Sequence, residues 1–284
     1  MTAVANRLVT LGVKGGPAVR APGAMPTATL LDLDGQRIVI DCGLGVTAAL
    51  VAAGMDLRLL ATICITHLHS DHILELGPLI HTAWVTGLKT PVTVYGPEGL
   101  ADYWAAFLQA MAYDNAIRVE DEGRLPLSDL VRIVPVTGGP VPVAGLRVTA
   151  LRVSHPPVDH ALAYRFDGSR SVVCSGDTAY FPPLADFARG ADVLLHEAML
   201  PEGIEVILQK TGGGEKLRAH LMASHTTVDD AGRIAAAAGV GRMVLNHLVP
   251  VDDPRFTDDM WRARAARAFA GPVLVGRDGM EVAL

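Results

Sequence analysis

Cysteine is nearly absent from this chain of 284 residues: Cys42, Cys64 and Cys174 are the only three. They are odd in number and each lies in an apolar, strand-like run. That argues against a disulfide framework and reads as buried free thiols in a reducing, cytoplasmic compartment. Lysine is scarce as well, with only Lys14, Lys89, Lys210 and Lys216, and the formal net charge is -6. Bulk electrostatic attraction to nucleic acid is therefore weak. No apolar run reaches the length of a membrane span, because charges such as Asp32, Asp34, Arg37 and Asp41 interrupt each one. Residues 1–11 lack a basic start followed by an apolar block, so no secretory leader is read there.

What remains is a chain half hydrophobic in composition, long for one ordinary domain but able to bury a large core. Residues 29–33 and 37–40 alternate around Asp34-Gly35, a hairpin signal. Helices are expected over 46–53 and 98–111, with strands over 59–65 and 91–95. In the second half, 146–153, 161–166 and 171–175 read as strands, the last two joined by the turn at Asp167-Gly168-Ser169. A helix over 184–189, a buried strand over 192–195 and a helix over 227–238 opening on the cap Thr227-x-x-Asp230 follow. A strand over 243–246, a surface helix over 258–269 and a terminal strand pair complete the pattern. Strands precede helices in both halves, which predicts an α/β fold in four layers, two mixed β-sheets packed together with helices outside. No low-complexity linker divides the halves, so residues 1–284 are read as one domain.

The densest chemistry lies in Ile65-Thr66-His67-Leu68-His69-Ser70-Asp71-His72, directly after a buried strand. Imidazoles and a carboxylate at this spacing are a metal-ligand set suited to zinc, manganese or iron. The end of a strand is a rigid place to mount them. The cluster resembles the signature of the metallo-β-lactamase fold superfamily. That resemblance implies a further histidine on a later strand, an aspartate in a Gly-Asp turn and a last histidine after another strand. The chain supplies Ser154-His155-Pro156, Gly176-Asp177-Thr178 and Asn246-His247-Leu248 in that order, so the match spans nearly the whole length.

By the resemblance His67, His69 and His155 would hold one divalent cation, and Asp71, His72 and His247 a second. Asp177 would bridge the two and limit their repulsion. Zinc is the expected ion, with manganese and iron served by the same donors. The implied reaction is hydrolysis by metal-bound hydroxide, with Asp71 also accepting or orienting a proton. Asp41 would buttress the site as a partner of a ligand. The segments Ala163-Tyr164-Arg165-Phe166, His196-Glu197-Ala198 and His225-Thr226-Thr227 are similar to those of the ribonuclease Z and arylsulfatase-like branch. There Glu197 would orient His225, and His225 would donate a proton or hydrogen bond to the departing oxygen. A homodimer is implied by the resemblance alone.

One departure shapes the expected substrate. Members of the ribonuclease Z kind carry a basic, glycine-rich arm in the second half, whereas residues 166–175 leave room only for a turn. The segment 201–224, containing Thr211-Gly212-Gly213-Gly214 and few cations, reads as a lid over a small substrate. The expectation is therefore a small-molecule ester, whether phosphodiester, sulfate ester, carboxylic ester or lactone, with nucleic acid set aside. The rivals are a ribonuclease Z-like RNA endonuclease, a di-iron redox protein and a non-catalytic metal-binding module. His160 competes with His155 for the third position and is assigned to the strand mouth, and His220 to the lid. His81, His196, Trp84, Trp104 and Trp261 are read as packing residues. Gly12-Val13-Lys14-Gly15-Gly16-Pro17 lacks a full phosphate-loop pattern and is read as a tight loop at the active-site edge.

Overall fold

The turn Asp34-Gly35 folds Ala28–Leu33 onto Gln36–Ile40 as an antiparallel hairpin. Both turn residues adopt positive φ (50° and 78°), as a two-residue turn matched to strand twist requires. Around this hairpin a computed structural model describes residues 6–21 and 23–284. Residues 1–5, part of the stretch read for a leader, lie outside them. The first sheet has seven strands in the order Met280–Ala283, Arg7–Gly12, Ala28–Leu33, Gln36–Ile40, Thr62–Cys64, Val92–Gly96 and Val131–Pro135. Pairing is antiparallel as far as Gln36–Ile40 and parallel beyond it.

The second sheet repeats the plan with seven strands: Val273–Val275, Arg242–Val249, Val193–Met199, Ser171–Cys174, Val158–Asp167, Arg147–His155 and Gly139–Val141. Its first four strands run parallel and the rest antiparallel. Leu8, Leu31, Ile38, Tyr164, Phe166 and Val172 fill the space between the sheets. Outside the first sheet, Leu50, Leu79, Ile80, Trp84 and Trp104 pack from helices. Outside the second, Val228, Ile234, Ala235 and Trp261 do the same. Ala28–Leu33, sandwiched on both faces, has no exposed residue, and its one charge, Asp32, is paired with Arg7 and Arg37. The result is the four-layer α/β sandwich that the sequence predicts.

Several boundaries differ from the sequence reading. The two C-terminal strands do not pair with each other: Val273–Val275 joins Arg242–Val249, and Met280–Ala283 crosses to Arg7–Gly12. Each thereby extends a different sheet by one paired edge, which local alternation cannot reveal. The helix expected over 98–111 is Leu100–Ala110, and a second helix, Ala112–Glu120, follows it with no buried residue. Segment 201–224 is itself built from two helices, Ile204–Thr211 and Glu215–Ser224.

Candidate metal centre

The chain ends of the parallel strands converge on one rim, the usual mouth of an open α/β sheet. Gln36–Ile40 delivers Asp41, and Thr62–Cys64 delivers residues 65–72. Arg147–His155 ends on His155, Ser171–Cys174 leads to Asp177, and Val193–Met199 carries Glu197. His247 sits inside Arg242–Val249, where Glu197 pairs with Asn246 and Ala198 with Leu248. His247 is thus the extra residue of a bulge, with φ 42°, and this turns its side chain to the rim. Asp41 also holds φ 60°. Non-glycine residues in this region carry strain and gather at functional sites.

Two donor groups, buried except for the half-buried His69, meet there. His67, His69, His155 and Asp177 form one, and Asp71, His72, Asp177 and His247 the other, each with ligand atoms within 4.8 Å of one another. Asp177 belongs to both. Its Oδ2 lies 3.0 Å from His247 Nε2, 3.3 Å from His72 Nε2, 3.7 Å from His67 Nε2 and 3.9 Å from His155 Nε2. His69 Nδ1 faces His67 Nε2 at 2.9 Å and His155 Nε2 at 3.1 Å. His155 Nδ1 already donates to the Ser224 carbonyl (2.8 Å), so its Nε2 presents a lone pair. Three ring nitrogens aimed at one point need a shared cation, since a single proton serves only two of them.

The second group gives the same answer. His72 Nδ1 donates to Asp41 Oδ2 at 2.8 Å, and Asp41 also accepts from Thr66 N and Thr66 Oγ1. This fixes the His72 tautomer and leaves Nε2 buried without a hydrogen-bond partner, as is Asp177 Oδ1. Buried polar atoms are normally paired, so their clustering fits a divalent cation at each group. The field is strongly polarised. Burial opposes charge on His72, but Asp177, Asp41 and Asp71 outweigh it and hold its pKa well above the ordinary value. Burial likewise opposes charge on His247, and Asp177 and Asp71 overcome it, pushing it up to about 10. Burial pushes Asp177 up, but His247, His72 and His67 more than reverse this and keep it ionised. Burial dominates at His67 and lowers its pKa far below the usual imidazole value.

Beside this centre Glu197 Oε2 accepts from His225 Nδ1 at 2.9 Å, while Glu197 Oε1 accepts from Thr178 N. Both side chains are buried. Burial disfavours charge on His225, yet the Glu197 carboxylate raises its pKa overall. His225, with its Nδ1 fixed by the carboxylate, lines a cavity of about 370 Å³ over the rim. The cavity floor includes His69, Asp71, Asp177 and His247, and its walls come from residues 14–18 and from both helices of 201–224.

His67, His69, Asp71, His72, His155, Asp177 and His247 come together, with Glu197 and His225 alongside. His160 does not join them: it is partly exposed, 3.8 Å from Glu98. His220 lines the cavity, whereas His196 turns to the Glu197 carbonyl and His81 to Asp114. Asp41 buttresses His72 as expected. Trp84, Trp104 and Trp261 are buried in packing positions. Three contributors escaped the sequence reading. Thr66 ties the backbone to Asp41, and the Ser224 carbonyl holds His155. Gly16 N donates to Asp71 Oδ2 at 2.8 Å. The Gly15-Gly16 pair was the available signal: a Cβ on Gly15 would lie 2.9 Å from the His247 ring, so only glycine fits.

Residues 36–248 match the Beta-lactamase superfamily domain. The chain belongs to the metallo-β-lactamase superfamily. A relative named Ribonuclease Z from Mycobacterium avium is 34% identical over 275 residues, covering 95% of both chains. One from Mycobacterium sp. (strain KMS) is 35% identical over 277 residues, covering 95% of this chain and 93% of the relative. These place the chain in the ribonuclease Z branch of the superfamily. Among solved structures, the metallo-β-lactamase fold protein YhfI from Bacillus subtilis aligns over 98% of this chain and 99% of its own, with TM-score 0.74 and 22% identity. Human tRNase Z, short form, aligns over 97% and 98% with TM-score 0.68 and 19% identity. Those two likenesses establish the fold.

The relatives correct one expectation. A small-molecule ester partner with nucleic acid set aside conflicts with full-length relatives whose name states an RNA substrate. The sequence reading found no protruding basic arm and few cations in 201–224, and the strands Val158–Asp167 and Ser171–Cys174 are indeed joined by a tight turn. The cavity is bordered by Lys14 and Arg20 from one stretch and Lys210 from another, with Lys14 paired to Asp252 and Lys210 beside Asp253. Composition and local charge runs cannot register such a grouping.

Proposed function

We propose that the protein is an RNA phosphodiesterase of the ribonuclease Z type, working with two divalent cations, zinc in the first instance. The observation carrying this reading is a shared-aspartate pair of donor groups beside a Glu197–His225 dyad, in a chain 34% identical end to end to a ribonuclease Z. His67, His69, His155 and Asp177 would hold one ion, and Asp71, His72, Asp177 and His247 the other. Bound there, the ions would polarise a phosphoryl oxygen and acidify a water for attack on phosphorus.

The rest falls to this chain's own groups. Asp71, held by Gly16 N–H, keeps a carboxylate at the cavity floor that can take the proton of the attacking water. His225 is held by Glu197 in one tautomer, with Nε2 left to hydrogen-bond or protonate the departing ribose oxygen. Arg20, which among the described residues pairs with no carboxylate and donates only to the Lys210 carbonyl, brings positive charge to the cavity wall for a flanking phosphate, while Lys14 and Lys210 there are held by Asp252 and Asp253. The apolar lining of Ile207, Leu217 and Leu221 restricts water around the reacting group.

The test is incubation of metal-quantified protein with a 5′-labelled transfer RNA precursor carrying a 3′ extension. Wild type should give a single cut, and Asp71→Ala should give none. Absence of cleavage by zinc-loaded and manganese-loaded wild type would remove the RNA reading.

A further inference from the structure

Ser224, the last residue of the helix Glu215–Ser224, serves two histidines at once. Its carbonyl accepts from His155 Nδ1, and its hydroxyl oxygen lies 3.2 Å from His220 Nδ1. The one hydroxyl proton is donated to the Pro156 carbonyl. The Ser224 oxygen can then only accept from His220, so His220 carries its proton on Nδ1 and leaves Nε2 as a bare acceptor. The His220 ring borders the cavity, 6.4 Å from the rings of His69 and His155 and 6.1 Å from that of His225. Among the described residues no side chain or backbone group hydrogen-bonds its Nε2.

We infer that His220 Nε2 accepts a hydrogen bond from a ribose 2′-hydroxyl next to the cleaved phosphodiester, making His220 a determinant of RNA over DNA. The inference rests on the RNA phosphodiesterase reading and deepens it. Phosphate oxygens are acceptors and are not served by a bare imidazole nitrogen. Amino donors on bases change with sequence, whereas a 2′-hydroxyl donor stands beside every ribonucleotide linkage. Ser224 acts here as a positioning residue, because its hydroxyl decides which nitrogen of His220 is left free.

The experiment is single-turnover cleavage of a 3′-extended RNA hairpin with ribose or 2′-deoxyribose at each nucleotide flanking the cut. Wild type, His220→Ala and His220→Gln are compared, with melting temperature and metal content measured for each. Wild type should lose about two- to tenfold at one deoxy position, the range of one hydrogen bond. His220→Ala should show that loss already on the all-ribose substrate and lose nothing more on the deoxy one. Gln, whose amide oxygen can accept, should restore part of the ribose preference. If wild type cleaves RNA but the two losses multiply, or no deoxy position matters, the inference is overturned and the RNA reading stands. If wild type cleaves no RNA, the reading falls and the inference falls with it.

Discussion

Asp41→Asn isolates a single carboxylate. Asp41 has φ 60°, a backbone region that asparagine adopts readily, so the substitution leaves the turn unstrained. The side chain accepts from Thr66 N at 2.8 Å, from Thr66 Oγ1 at 2.9 Å and from His72 Nδ1 at 2.8 Å. An asparagine oxygen can keep the Thr66 contacts, but its amide nitrogen then opposes the His72 N–H. His72 must rotate or change tautomer, and its Nε2 no longer reliably offers a lone pair beside Asp71 and Asp177. Removing a carboxylate partner of a metal-binding histidine weakens metal affinity by about 10–100-fold, or roughly 1.4–2.8 kcal/mol. His72 belongs to only one donor group, so one of two metal equivalents should weaken by that factor while the other holds. Competition with a fluorescent zinc chelator, supported by elemental analysis of dialysed protein, measures both. Two equivalents retained within about threefold of wild type, with the fold intact by circular dichroism, would refute the reasoning.

The remaining predictions concern the dyad, protons and close packing. His225→Ala should reduce turnover on the cleaved RNA by about 10²–10⁴-fold with little change in KM, since general acid action is confined to the transition state. A loss below tenfold would remove His225 from proton transfer. The carboxylates of Asp177 and Asp71 push the His247 pKa up to about 10, and Asp177, Asp41 and Asp71 raise that of His72, so a binding cation must compete with protons there. Zinc affinity should therefore rise from pH 6 to pH 8, with proton release seen by calorimetry in buffers of different ionisation enthalpy. Uptake independent of pH would contradict the charge balance. Gly15→Ala would place a Cβ 2.4 Å from Val249 Cγ2 and 2.9 Å from the His247 ring. It should destabilise the protein by about 1–3 kcal/mol in a denaturant melt and lower the metal content. An unchanged melt would show that the loop has room to move.

Much of the site is readable from sequence because ligand chemistry is concentrated at strand ends. Residues 67–72 sit directly after Thr62–Cys64, and one short segment therefore reveals four donors. His155, Asp177 and His247 are single residues whose convergence depends on how the two sheets are stacked. They became legible only through the order of motifs in a known family. His247 shows the limit best: its bulge, with φ 42°, leaves no mark in the residues around it. The layer order followed from alternation and turns such as Asp34-Gly35. The crossing of the last strand to the opposite sheet did not, because it is decided by which edge remains unpaired. The missed supports, Thr66, Gly16 and the Ser224 carbonyl, act largely through backbone groups that every residue carries. The error over the substrate has a similar root, since only folding brings Arg20 against the Lys210 carbonyl at the cavity wall.

Anomalous diffraction at the zinc edge, from crystals of zinc-loaded protein, tests the central claim most directly. Two peaks should stand on either side of Asp177, one among His67, His69 and His155 and the other among Asp71, His72 and His247. A single peak, or zinc bound elsewhere with Asp177 contacting none, would contradict a centre built on one shared carboxylate.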